Sequence, residues 1–126
     1  MSNQQMKRER QEVVLRNYRF CGEQDGVPEG ELKERLVEFF RRDRSITKAY
    51  LAIIAFNEPL VYGVALCLRT SFGCDVGMVD KISSIFASMF GRDEHLDIVF
   101  LDDEQERTLT KVCRPFFEQQ EKEFSF

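Results

Sequence analysis

The sequence predicts a single α+β domain built on a small mixed sheet. Two apolar runs rich in Ile, Leu, Val, Tyr and Phe fill residues 49–69, on either side of the break Asn57-Glu58-Pro59. Because Pro59 lacks an amide hydrogen and favours an extended residue before it, the break predicts a turn between two strands. Two stretches with apolar residues at helical spacing flank this hairpin, and the chain length suits one core.

Before the hairpin, the pattern predicts one strand and one long helix. Residues 1–12 are polar and predict a flexible arm, and Val13 to Phe20 predicts a short strand at a sheet edge. A Gly- and Pro-rich loop then leads to a helix that begins near Pro28 or Glu29. The inward stripe of this helix is apolar and consists of Leu32, Leu36, Val37 and Phe40. The late bases Arg41, Arg42 and Arg44 suit its negative end, or alternatively a phosphate or acidic partner.

After the hairpin, a second helix follows, with Asp75 as its N-cap and Gly91 as its C-cap. Its inward face is expected to carry Met78, Ile82, Ile85, Phe86 and Met89. The run Leu96 to Leu101 predicts another strand.

A last short helix is expected to be capped by Asp102 or Asp103, and Asp103 and Glu106 have the spacing of a capping box. Its inward residues are Leu109 and Val112. Pro115 ends it, Phe116 and Phe117 pack back on the body, and residues 118–126 predict a charged tail. The domain is therefore expected to span residues 13–117.

The predicted order of elements is β-α-β-β-α-β-α. Its first six elements match the ferredoxin-like split βαβ pattern or a close variant, with helices mainly on one face of the sheet. In the split pattern the first strand is central, yet the first strand here is the most polar one. A sheet with the hairpin at its centre is the alternative.

Composition excludes several classes of function. The formal net charge is −4, and neither half of the chain has the strongly basic surface that nucleic-acid binding requires. No apolar run approaches the ~18 residues of a membrane helix, and the polar N-terminus lacks the apolar core of a signal peptide. The cysteines are scattered without a Cys-x-x-Cys pair, which predicts reduced thiols. We therefore expect a cytoplasmic protein.

Three short motifs carry a family resemblance. ITKAYLA at residues 46–52, DIVFLDD at 97–103 and RPFF at 114–117 occur in the same order as the predicted elements. The chain resembles the C-terminal domain of the enhanced serine sensitivity protein SseB, a family that typically ends this region in Pro-Phe-Tyr. The Phe117 ending departs from that pattern and removes a phenol hydroxyl. The resemblance implies a bacterial cytoplasmic protein linked by name to serine tolerance, and it implies no catalytic residue or cofactor.

Few residues are candidates for chemistry. Cys74 lies just before a predicted helix start, a position that lowers the pKa of a thiol, although Asp75 beside it opposes the thiolate. His95 is the only histidine and is expected to be a solvated loop residue. Cys67 is expected to be a small buried residue of the hairpin. No pattern predicts a metal site or a cofactor.

Two functions are compatible with these observations. The first is a non-enzymatic interaction or regulatory module, expected to form a homodimer or to bind another protein through an apolar sheet face. The second is a thiol-dependent enzyme or sulfur-handling accessory that uses Cys74. The interface candidates of the first hypothesis are Tyr50, Ile54, Phe56, Tyr62, Phe116 and Phe117. The exposed face would carry either Tyr50, Ile54 and Phe56 with Tyr62, Val64 and Leu66, or the smaller set Ala49, Ala55, Gly63 and Ala65.

Overall fold

The computed structural model of the chain describes residues 18–56, 61–71, 75–91 and 94–119. The elements within them are β1 (Arg19–Glu23), α1 (Val27–Arg42), β2 (Ile46–Ala55), β3 (Tyr62–Thr70), α2 (Val76–Phe90), β4 (Asp97–Phe100), α3 (Asp103–Leu109) and β5 (Phe117–Glu118). The α+β class and the small mixed sheet are confirmed. The predicted arm, the first part of the predicted first strand and the turn at 57–59 lie outside the described residues.

The hairpin β2–β3 is the centre of the sheet. The strand order is β1-β2-β3-β4, and β5 pairs with β2. β2 is antiparallel to β1, β3 and β5, whereas β3 and β4 are parallel. The first strand is therefore not central as in the strict split βαβ pattern, and the alternative with a central hairpin describes this sheet.

One edge of β2 is shared between two short strands. β1 pairs with its second half, from Ala52 to Ala55, and β5 pairs with Lys48 and Ala49. The sequence pattern did not predict β5, because a two-residue strand has no periodicity and depends on the edge that receives it. Glu118 therefore belongs to the sheet rather than to a charged tail.

The larger core lies between the sheet and the two long helices. Leu51 and Leu66 are directly opposed on β2 and β3 and are 1% and 0% exposed. The buried side chains that pack with them come from both helices and from β5, namely Leu32, Leu36, Phe40, Met78, Ile82 and Phe117. Both long helices thus cover one face of the sheet, which we call the helical face. None of the described helices is long and apolar enough to cross a membrane.

The opposite face of the sheet carries a second core. Side chains alternate along β2 as predicted, so that Tyr50, Ala52 and Ile54 point away from the helical face. They pack with Ala65, Cys67 and Val99 from the next two strands and with Leu109 and Cys113. α3 and the turn after it therefore cover this face, which gives the sheet helices on both sides.

Local sequence fixes the helix ends. The Asp75 carboxylate accepts from Gly77 N at 2.9 Å, and Gly91 closes α2 with a φ of 82°, so both predicted caps are confirmed. At α3 the capping box is formed by Asp102 and Gln105 rather than by Asp103 and Glu106. Because α3 ends at Leu109, Val112 is 41% exposed and does not face inward as expected.

Candidate functional site

The predicted interface residues are distributed between core and surface. Tyr50 and Ile54 are fully buried, and Phe117 is 8% exposed, so these three side chains belong to the interior of the monomer. The expectation that the face carrying Tyr50 and Ile54 is exposed is therefore wrong at these residues. Tyr62 is 60% exposed, and Phe56 and Phe116 are half-buried.

The strand register explains this distribution. Tyr50 is opposed to Cys67 and Ile54 to Gly63, so the small residues of β3 share a face with the large residues of β2. Val64 and Leu66 point instead to the helical face, where they pack with the larger core. The pairing of Tyr50 and Ile54 with Val64 and Leu66 on one exposed face is thus incorrect. Oligomeric state stays a prediction.

A network of charges joins α3 to the hairpin. Glu106 lies at its centre: its Oε2 accepts a 2.5 Å hydrogen bond from the Tyr50 hydroxyl and lies 3.7 Å from Lys48 Nζ, and its Oε1 lies 3.4 Å from Arg69 Nε. Arg69 also donates to Asp103 at 2.7 Å and to the carbonyl of Leu101 at 3.1 Å. Each cation already has a carboxylate partner, so the arrangement stabilises the position of α3 rather than offering free charge to a ligand.

His95 and Asp97 form a close pair at the start of β4. The His95 Nε2 to Asp97 Oδ1 distance is 2.7 Å, the Asp97 side chain is 7% exposed and the His95 side chain is 47% exposed. His95 was expected to be a solvated loop residue, and its contact with Asp97 was not predicted. Residues i and i+2 at a strand start share one side, a signal that could have predicted the pair. Among the described residues, no group of three His, Cys, Asp or Glu side chains is arranged to hold a metal ion.

The described thiols fall into two classes. Burial raises the pKa of the Cys67 thiol, and burial followed by the nearby Glu23 carboxylate raises the pKa of the Cys113 thiol to about 11. Both thiols are therefore protonated at neutral pH and are poor nucleophiles. The expected burial of Cys67 is confirmed, and Cys21 is exposed. Cys74 lies outside the described residues, so its reactivity stays a prediction.

An open groove runs along α1 beside the chain that leads into β5. Its volume is about 760 Å³, and Val37 and Phe116 supply its apolar surface. The rim carries both signs of charge, with Lys33, Arg35 and Arg41 beside Glu34 and Glu38. Lys33 is already engaged, since its Nζ lies 3.0 Å from Asp25 Oδ1 and 5.8 Å from the centre of the Phe116 ring. The lining therefore has three basic and two acidic side chains, a mixture that does not by itself indicate the charge of a ligand.

The outer edge of β4 lies at one end of the strand order and is a candidate binding surface. β4 pairs with β3 on one side, and no described strand pairs with its other side. Leu101 N donates to Leu68 O at 2.8 Å. Backbone N–H and C=O groups alternate in direction from one residue to the next along a strand. Those of Val99 therefore also point toward β3, whereas those of Ile98 and Phe100 point away from it, toward the outer edge.

This edge has some, but not all, of the protection that exposed strands usually carry. Edge strands are commonly shielded by lysine, proline, a bulge or a very short length. The strand DIVF is short, but it contains no lysine, proline or bulge, and the side chains of Ile98 and Phe100 are half-buried beside the apolar residues of the helical face. Sequence reasoning identified this strand but not its outward groups, since the strand order decides which strand lies at the edge.

Comparison with known proteins gives one family. Residues 26–119 match the family model described as the SseB protein C-terminal domain. The match begins just before α1 and ends at Gln119, so it includes every described element except β1. No curated protein and no solved structure matches the chain.

Proposed function

The chain belongs to the SseB protein C-terminal domain family, and we propose that the domain is a non-enzymatic interaction module that binds protein chains through the outer edge of β4. The observation that supports this function is the pair of outward backbone groups at Ile98 and Phe100 in a strand that no other described strand pairs with on that side. Any effect on serine tolerance would then be exerted through a bound partner. The cytoplasmic location stays a prediction.

Binding at such an edge follows from backbone chemistry. An added strand forms main-chain hydrogen bonds with the outward N–H and C=O groups, and its alternate side chains extend the two faces of the sheet. On the helical face, the new side chains would lie beside Ile98 and Phe100, which are only half-buried. The interaction therefore satisfies polar groups and buries apolar surface at the same time.

Two variants at one position test the role of the outward backbone. Ile98→Ala and Ile98→Pro both remove the isoleucine side chain, but only proline removes the outward N–H. Proline is tolerated where its missing N–H would face away from the sheet, so pairing with β3 is expected to persist. Circular dichroism and urea unfolding would confirm that both variants fold.

The measurement is binding of each variant to a partner that wild-type protein retains. The partner would be identified from the source cell by mass spectrometry and then titrated in purified form. Both variants lose the side-chain contact of Ile98, so we expect Ile98→Pro to bind about tenfold or more weakly than Ile98→Ala, which corresponds to roughly 1.4 kcal/mol for the outward N–H. Equal binding by the two folded variants would contradict the proposed site.

A further inference from the structure

We infer that the outer edge of β4 binds β4 of a second copy of this chain, in antiparallel register with Val99 opposite Val99. This inference rests on the proposed binding edge and names its occupant. The first argument for a second copy is that the outward groups of the strand are complementary to themselves. The second is that the side chains this register brings together are compatible in shape and charge.

The register follows from the direction of the backbone groups. In an antiparallel pair, two opposed residues exchange both of their hydrogen bonds only if both point toward the partner strand. The backbone groups of Ile98 and Phe100 point outward and those of Val99 point toward β3. Hydrogen-bonded pairs between the two copies can therefore form only between Ile98 and Phe100 residues. Placing Val99 on the twofold axis sets Ile98 opposite Phe100 of the second copy, and Phe100 opposite Ile98 of the second copy.

This register makes the best use of a short strand. It gives two hydrogen-bonded residue pairs, hence four main-chain hydrogen bonds, within Asp97–Phe100. If the twofold axis passed through Ile98 or through Phe100 instead, only one hydrogen-bonded residue pair would lie within Asp97–Phe100. Shifting the axis halfway between residues opposes an inward group to an outward one and forms no ladder.

The side chains that would meet between the β4 strands of the two copies are also compatible. Ile98 would contact Phe100 of the second copy on the helical face, and pairs of β-branched and aromatic residues stabilise adjacent strands. Asp97 is the only charged residue of β4 and points to the opposite face, where it would oppose Leu101 rather than another carboxylate. Within Asp97–Phe100, no like charges are directly opposed.

The twofold arrangement closes the assembly. Each chain presents the same edge, so two copies satisfy one another and leave no outward β4 groups for a third. The dimer would be a continuous sheet that passes from β3 and β4 of one copy into β4 and β3 of the next. It differs from the dimer expected from the sequence, which used a sheet face.

Disulfide trapping tests both the occupant and the register. Ile98→Cys and Phe100→Cys are prepared separately, with the native Cys21 and Cys74 replaced by serine in both. Opposed residues of an antiparallel pair have Cα atoms about 5.5 Å apart or less, a separation that a disulfide spans. Identical residues of the two copies would lie diagonally, at about 7–8 Å, which a disulfide does not readily span.

The expected result is a crosslink that requires both variants. Mild oxidation of the mixture should give at least about tenfold more covalent dimer than either variant alone, because only mixed pairs meet the separation that a disulfide needs. Crosslinking of either variant with itself to the same extent as the mixture would contradict this register. Light scattering of the wild-type protein at micromolar concentration should give a dimer mass, and a strict monomer would contradict the second copy.

The inference and the proposed function fail in different ways. If the chain is monomeric but Ile98→Pro loses a purified partner that Ile98→Ala retains, the edge binds another protein and the second copy is wrong. If Ile98→Pro retains both the partner and the dimer mass, the edge is not the binding surface and both ideas are wrong. Crosslinking of the mixture, together with loss of the dimer in Ile98→Pro, supports both.

Discussion

The hydroxyl of Tyr50 donates a hydrogen bond to Glu106 across 56 residues of sequence, and this bond joins the centre of the sheet to the last helix. Glu106 also forms ion pairs with Lys48 on β2 and Arg69 on β3, so one carboxylate on α3 contacts both central strands. Tyr50 is fully buried and contributes its ring to the opposite-face core. The residue thus stabilises the fold through packing and through one polar contact with an ionised group.

Tyr50→Phe should separate these two contributions. Phenylalanine keeps the buried ring and removes the hydroxyl, so we expect the free energy of unfolding to fall by about 1.5–3 kcal/mol, as for other hydrogen bonds to charged groups. Urea unfolding followed by circular dichroism measures the change. Tyr62→Phe is the matched control, because Tyr62 is 60% exposed and should change stability by less than about 0.5 kcal/mol.

Alkaline pH should destabilise the wild-type protein partly through the same hydroxyl. Burial, followed by the hydrogen bond to Glu106, raises the pKa of Tyr50 above its ordinary value of 10.0. The unfolded chain then releases the Tyr50 proton at a lower pH than the folded chain, so stability is retained below about pH 10 and falls as pH rises further.

The comparison of two stability curves checks this pH dependence. Tyr50→Phe should lose less stability than wild type between about pH 9 and 11, a window around the ordinary tyrosine pKa of about 10. The buried thiols of Cys67 and Cys113 also have raised pKa values and act in the same direction, but they are common to both proteins. Parallel curves for wild type and variant would show that Tyr50 does not contribute.

Leu51→Ala should be among the costly core truncations. Leu51 lies in the middle of β2, is 1% exposed and belongs to the core under the two long helices, so truncation of its side chain is expected to cost about 2–5 kcal/mol. Ile53→Ala, on the same side of the same strand, is a useful comparison because Ile53 is only partly buried. Denaturant melts that show the larger loss for Ile53 would contradict the burial of these two residues.

Asp102→Ala should destabilise α3 at its first turn. The Asp102 carboxylate accepts a hydrogen bond from Gln105 N at 2.7 Å, and the side-chain oxygen of Gln105 accepts one from Asp102 N at 2.9 Å. Loss of such a cap is expected to cost about 0.5–2 kcal/mol in thermal or urea unfolding. Glu104→Ala removes a nearby exposed carboxylate without removing the cap, and a loss as large as that of Asp102→Ala would indicate a general charge effect instead.

Local patterns in the sequence predicted most of the elements. Helical spacing identified α1 and α2, and the caps at Asp75 and Gly91 were correct because they depend on neighbouring residues alone. The apolar runs identified β2, β3 and β4 for the same reason. The opposite orientations of Tyr50 and Leu51 followed from strand alternation.

The arrangement between elements could not be derived in the same way. Tyr50 was a candidate for an exposed face because nothing near it in sequence reveals that Leu109 and Cys113 cover it. β5 exists only because the edge of β2 at Lys48 and Ala49 is available to it. The outward groups of Ile98 likewise depend on the position of β4 at the end of the strand order, which is a property of the whole sheet.

The shared edge of β2 has a consequence for biosynthesis. β1 and β2 are available as soon as the first half of the domain has left the ribosome, but the β5 pairing at Lys48 and Ala49 joins residues about 70 positions apart. Such distant contacts are the slowest to form, because a long loop must close before they contribute. Part of the β2 edge therefore stays unpaired until Phe117 and Glu118 emerge. A nascent chain that stalls before them would expose an unpaired, aggregation-prone strand edge to chaperones or to neighbouring nascent chains.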